Sequence, residues 1–191
     1  MGVVKVTRIL DLIISLFLIV VAFPIILVCA TAIKLDSDGP FLFRQVRVGL
    51  DGKPFVLLKL RTMCRDAEEK GPRITSPGDA RVTRGGSFLR KWSIDELPQL
   101  WNVIIGEMSL VGPRPATVEQ ERLYPSATWK KRHSVRPGIT GMAQAINRSS
   151  GTKRQNRRLD LVGVSLAGDP CAYMCILART FFTVALRKNL N

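Results

Sequence analysis

A single histidine, His133, and four cysteines are all this chain offers a soft metal, and no two of the cysteines form a CxxC pair. That scarcity argues against a Cys/His zinc site. One histidine also leaves no room for an HExxH pair, and neither a P-loop nor a G-x-G-x-x-G fingerprint occurs. Negative charge is scarce too: 15 Asp and Glu stand against 29 Lys and Arg, a formal net charge of +14. Such a balance selects polyanionic partners, which are nucleic acid, an anionic lipid surface or phosphate-bearing substrates. Nucleic acid is the weakest of the three, because the eight Phe and two Tyr sit mostly in apolar contexts rather than as stacking platforms. Cys171 and Cys175, four apart in an apolar helical pattern, read with Cys29 and Cys64 as buried thiols in a reducing compartment.

Charge is missing altogether from Leu12 to Ile33, "LIISLFLIVVAFPIILVCATAI", about 22 residues and long enough to cross a hydrocarbon core as a helix. A cleaved signal peptide competes, since Ala30-Thr31-Ala32 has the A-x-A form. Its apolar core would exceed the usual 7–15 residues, however, and an odd number of cysteines would follow. Lys5 and Arg8 precede the run and Lys34 follows it, so a straight span puts one positive flank outside. Pro24 lies mid-run and removes a backbone donor, which invites a kink. A kinked helix that enters and leaves by one face keeps both flanks inside; a plain span with a tolerated proline is the alternative.

The length of 191 residues suits one compact domain plus this appendage, divided at about 1–35 and 36–191. "FLFRQVRV" and "PFVLLKLRT" around Asp51-Gly52 read as a hairpin, with Lys59 and Arg61 on the face of Phe55 and Leu57. "RDAEEK" reads as a short acidic helix and "GPRITSPGDARVTRGG" as loop. Two helices follow in "SFLRKW" and "SIDELPQLWNVII", then a turn-rich "GEMSLVGPRP" and about two short helices before His133. "VRPGITGMAQ" reads as irregular or extended, and "NRSSGTKRQNRR" as an exposed basic loop near an anionic surface. "CAYMCILARTFFTVALRK" closes the chain as an apolar-rich helix that packs on the core with one face toward lipid. The fold class is therefore α+β and mostly helical: a membrane-inserted N-terminal helix and a small domain with a β-hairpin and several short amphipathic helices.

Within this basic text Asp95 and Glu96 stand side by side in "SIDELPQLWN". Ser93 with Glu96 fits a capping box, and acidic residues at a helix start complement its dipole. Against that reading stand the arginines nearby. Arg90 precedes the pair by five residues, Arg114 is locked between Pro113 and Pro115, and Arg136 precedes Pro137-Gly138. Preset backbones suit bidentate phosphate recognition, and Gly138 and Gly141 would let backbone amides approach an anion. A carboxylate among arginines can hold Mg²⁺ against a phosphate or attack phosphorus itself.

The ordered series "FRQVRVG", "KLRTM", "DARVTRGGSFLRKWSIDELPQLWNVIIGEMSLVGPRP" and "RHSVRPGITGMAQ" resembles the bacterial sugar transferases, the monotopic phosphoglycosyl transferases. The likeness runs from the membrane segment to about Gln144. It implies transfer of a sugar phosphate from a UDP-sugar to a polyprenol phosphate such as undecaprenyl phosphate, with UMP released. This is the first step of polysaccharide or glycoconjugate assembly: exopolysaccharide, capsule, lipopolysaccharide or glycoprotein. By that analogy Asp95 is the nucleophile and Glu96 holds Mg²⁺; Arg90, Arg114 and Arg136 grip phosphates, and Lys59 and Arg61 lie near the substrate. The family inserts a re-entrant helix broken at a Ser-Pro pair, with both ends and the catalytic domain on the cytoplasmic face of the bacterial inner membrane. Here Phe23-Pro24 keeps only the proline. The missing extra transmembrane helices resemble the minimal members, and a homo-oligomer is compatible. After Asp160 the text departs, with Tyr173 about where the family carries an aspartate. A membrane-bound scaffold that holds lipid phosphate without turnover is the second reading.

Overall fold

The computed structural model describes residues 2–67, 71, 78–147 and 151–185. Helix α1 runs without interruption from Gly2 to Asp36, through Pro24. At 1.5 Å per residue its 35 residues extend about 52 Å. It is the one helix among the described residues long and apolar enough to cross a membrane. One face packs on the rest of the chain: Leu10, Ile14, Ile19 and Ile26 lie against the main core, and Ala22 is part of it. The other face leaves Ile13, Phe17, Val20 and Val28 more than 60% exposed. An apolar surface of that extent marks membrane association.

Strands β1 (Leu42–Val48) and β2 (Pro54–Leu60) form the antiparallel hairpin, paired Arg47↔Phe55, Gln45↔Leu57 and Phe43↔Lys59. The turn works because Asp51 (φ +54°) and Gly52 (φ +77°) take the left-handed conformation that Asp and Gly tolerate best. Helix α2 (Arg84–Trp92) starts three residues earlier than "SFLRKW" because Thr83 caps it, accepting from the Gly86 amide. Gly86 has to be glycine: a Cβ there would sit 2.0 Å from the Thr62 carbonyl oxygen. Residues 68–70 of the acidic "RDAEEK" and 72–77 of "GPRITSPGDARVTRGG" fall outside the described residues; 65–67 form a turn, not a helix, and Arg84–Gly86 belong to α2 rather than to a loop.

Helix α3 (Gln99–Ile105) ends at Gly106, φ +95°. Strands β3 (Ser109–Val111) and β4 (Gly138–Thr140) pair in parallel, so part of "VRPGITGMAQ" is a strand and Met142–Ile146 is helix α5. Between the strands come a 3₁₀ stretch, Val118–Leu123, and helix α4 (Ser126–Arg132). The basic segment read as loop becomes helix from Lys153: α6 (Lys153–Ser165) opens on a Thr152–Gln155 capping box, which outweighs the repulsion of its charges. Helix α7 (Pro170–Ala185) turns Tyr173 and Ile176 inward and leaves Phe181 and Phe182 exposed. Cys171 and Cys175 are exposed rather than buried, because they fall off the inward face that Tyr173 and Ile176 define.

The main core gathers Phe55 and Leu57 of β2, Leu100 and Val103 of α3, Met108, Leu110 of β3 and Tyr173 of α7 around α1. Polar contacts fix the membrane helix at both ends. Near its N-terminus Arg8 donates to the Val103 and Ile104 carbonyls at 2.7 and 3.0 Å, capping the end of α3. One turn on, the buried Asp11 Oδ1 accepts from the Leu110 amide, the Ser109 hydroxyl and the Tyr173 phenol at 2.8–2.9 Å. Burial, then the Asp11 charge, push the Tyr173 phenol up, so it stays a donor. At the far end the Arg61 guanidinium binds the Asp38, Ser37 and Ile33 carbonyls.

Candidate active site

Asp95 and Glu96 do not open helix α3. Ser93 ends α2 in the left-handed conformation, φ +57°, and its side chain caps nothing. A single 3₁₀ turn, Ile94–Glu96, then carries the pair, and α3 begins only after Pro98. Proline forces this break, because its missing N–H and fixed φ suit a helix entrance better than an interior. The two carboxylates are thus held on a short rigid turn between helices, against the end of β2.

Their environments differ. Asp95 is 8% exposed. Burial first, and then Glu96, push its pKa above the usual carboxylate range, while Lys59 and Arg90 pull the other way. Glu96 Oε1 accepts from Lys59 Nζ at 2.9 Å and from an Arg114 Nη at 3.2 Å. Burial opposes the Glu96 charge, but Lys59 and Arg114 outweigh it and hold the pKa low. Both contacts fall on Oε1, so Oε2 lies outside them.

Beside the pair lies a cleft lined by Glu96 with Arg47, Leu57, Lys59, Gln99 and Arg114; Asp95 is buried next to it rather than on its wall. Lys59 reaches it from β2, as its place on the Phe55–Leu57 face implies. Arg47 arrives on the same face by cross-strand register, and the motifs alone did not single it out. Its guanidinium binds the Gln45 side chain and the Pro115 carbonyl. Burial, then Arg114, lower the Arg47 pKa to about 10. Arg114 is exposed, on a backbone fixed from behind: Arg132 donates to the Arg114 carbonyl at 2.6 Å while pairing with the buried Asp160.

Of the residues expected at the site, the structure brings Lys59, Asp95, Glu96 and Arg114 together. Arg90 borders them, donating to the Thr62 hydroxyl at 2.8 Å and acting on the Asp95 charge. Arg61 lies elsewhere, 8% exposed and bound to the end of α1. Arg136 lies at the C-terminus of α3, donating to the Gly106 carbonyl at 2.8 Å. Gly138 lines the cleft, but its amide donates to the Pro113 carbonyl, and a Cβ on it would stand 2.1 Å from the Gly112 amide nitrogen; a Cβ on Gly141 would stand 2.1 Å from the Gly112 carbonyl oxygen. Among the described residues no group of three or more His, Cys, Asp or Glu could hold a metal. Glu96 Oε2, outside both ion pairs, is the carboxylate oxygen of the kind a hard cation such as Mg²⁺ would take.

A model of the bacterial sugar transferase family matches residues 3–187, and the chain belongs to that family. It is similar to a UDP-glucose:undecaprenyl-phosphate glucose-1-phosphate transferase of Caulobacter vibrioides, 49% identical over 76% of this chain and 55% of that protein. An uncharacterized sugar transferase of Bacillus subtilis is 43% identical over 81% of this chain and 75% of its own length. A UDP-N-acetylgalactosamine-undecaprenyl-phosphate N-acetylgalactosaminephosphotransferase of Aeromonas hydrophila is 44% identical over 72% of this chain and 33% of its own. The chain thus spans about half the length of the Caulobacter relative and a third of the Aeromonas one.

Proposed function

We propose that this chain transfers a sugar 1-phosphate from a UDP-sugar to a polyprenol phosphate at the cytoplasmic face of the bacterial inner membrane, releasing UMP. The observation that carries the proposal is a buried Asp95, its pKa raised chiefly by burial, next to a charge-stabilised Glu96 that opens on a cleft ringed by Lys59, Arg47 and Arg114. Ionised Asp95 attacks the phosphorus bonded to the sugar. The bond from that phosphorus to the bridging oxygen breaks, UMP leaves with the oxygen, and an aspartyl phosphosugar remains. A polyprenol phosphate oxygen then attacks the same phosphorus, regenerates the carboxylate and yields the sugar-linked diphosphate. Lys59, Arg47 and Arg114 hold the diphosphate against the turn, and Arg90 supports the Asp95 charge. Glu96, with Asp95 beside it, would hold Mg²⁺, which supplies neutralisation of phosphate charge when bound.

Insertion of α1 as a re-entrant element would fit this chemistry, even though the helix passes Pro24 without the expected break. Arg8 and Asp11 at one end and the Ile33–Asp38 carbonyls at the other attach to the same domain, which supports both ends lying on one side of the bilayer. The cleft then rests at the interface where a lipid phosphate meets a soluble nucleotide sugar.

The test is UMP release from a panel of UDP-sugars, UDP-glucose and UDP-N-acetylgalactosamine among them, with undecaprenyl phosphate and Mg²⁺. Release by the wild type that Asp95→Asn reduces at least ~10³-fold is expected. Equal release by both proteins overturns the role of Asp95. Silence with every sugar, alongside binding of polyprenol phosphate that survives the substitution, favours a scaffold.

A further inference from the structure

Two carboxamides stand one turn apart on α3, and the fold treats them differently. Asn102 is 1% exposed with every polar atom in use. Its Oδ1 accepts from the Leu58 amide at 3.1 Å, and its Nδ2 donates to the Val56 carbonyl and the Glu107 carboxylate at 2.8 and 2.7 Å. It staples β2 to α3. Gln99 is 2% exposed, lines the cleft beside Lys59, Glu96 and Arg114, and its buried Nε2 has no hydrogen-bond partner. Protein interiors rarely leave a donor in that condition unless something else satisfies it.

We propose that Gln99 is a specificity-determining residue that hydrogen-bonds a hydroxyl of the sugar being transferred. This rests on the transferase reading above. Phosphate oxygens placed in the cleft would face Lys59, Arg47 and Arg114. A neutral carboxamide, donor and acceptor together, instead suits a hydroxyl, which is also both. Gln99 follows Glu96 by three residues and lines the same cleft, and the group assigned to it in this proposal is the one bonded to the phosphorus that Asp95 attacks. That group is the sugar rather than the uridine, which is attached through the second phosphate.

Gln99→Leu and Gln99→Met, both close in volume, separate this role from a structural one. In the full chain in nanodiscs, kcat/KM for the UDP-sugar that the wild type uses falls about 3- to 10-fold, the worth of one hydrogen bond. Inhibition by UDP, which lacks the sugar, stays within about two-fold of wild type because the phosphate and uridine contacts are untouched. The melting temperature is unchanged or higher, because removing an unpaired buried donor relieves the fold. Unchanged kcat/KM with an active wild type overturns the contact alone. An equal loss of UDP inhibition moves Gln99 to the nucleotide and overturns it as well, and so does a lowered melting temperature that tracks the activity loss. A wild type that releases UMP from no UDP-sugar strikes down the transferase reading, and this contact with it.

Discussion

The junction where α1 meets the domain and the cleft at the end of β2 are both built around buried carboxylates near arginine. At the junction three donors from distant parts of the fold converge on Asp11 Oδ1, and Arg8 lies 3.8 Å from Oδ2. Beside the cleft Asp95 is buried with cations acting on it only at a distance, Glu96 binds its two cations through a single oxygen, and Gln99 keeps an unpaired donor. The Asp11 partners come from three separate elements and tie them to α1, whereas the Asp95–Glu96 turn sets a costly buried charge beside cations that border an open cleft.

Removing the junction carboxylate has the largest expected effect on stability. Asp11→Ala strips the Leu110 amide, the Ser109 hydroxyl and the Tyr173 phenol of their acceptor and leaves Arg8 without its counter-charge. A loss of about 3 kcal/mol follows, read by denaturant unfolding in nanodiscs. A loss below ~1 kcal/mol would erase the distinction between the two regions. Glu96→Gln comes next, at about 1 kcal/mol near neutral pH, because Lys59 and Arg114 lose their shared charge. The folded pKa of Glu96 is depressed, so its contribution is present above the ordinary glutamate pKa and disappears as pH falls through the folded value. Melting temperatures of wild type and variant accordingly converge in acid. The smallest effect carries the opposite sign. The folded pKa of Asp95 is raised, so ionising it takes stability away as pH climbs out of the ordinary aspartate range. Asp95→Asn therefore melts at the same or a higher temperature than wild type at pH 7, and that advantage fades below about pH 4.

How much of this was legible in the sequence follows from the range of each interaction. The membrane helix and the hairpin are written locally, in an uncharged run and an Asp-Gly turn. Arg47 becomes visible once the hairpin register is drawn, because pairing with Phe55 puts it on the Lys59 face. The start of α6 was legible in Thr152 and Gln155, but the density of positive charge in the segment obscured it. Asp11 escaped because the apolar run begins one residue after it and its partners lie up to 162 residues away. Arg61 carried a motif-level expectation of substrate contact, yet its buried guanidinium is engaged by carbonyls from a turn that no local pattern connects to it. Gln99 stands in plain view beside the dyad; its unpaired amide is a property of packing alone.

The most direct test of the central claim is intact-protein mass after mixing the wild type with Mg²⁺ and the UDP-sugar it uses, with no polyprenol phosphate present. The account predicts a mass gain of one sugar phosphate, located on Asp95 by fragmentation, absent from Asp95→Asn and discharged when polyprenol phosphate is added. UMP release that requires the acceptor, with no mass gain at any time, would contradict it and point to direct transfer between the two substrates.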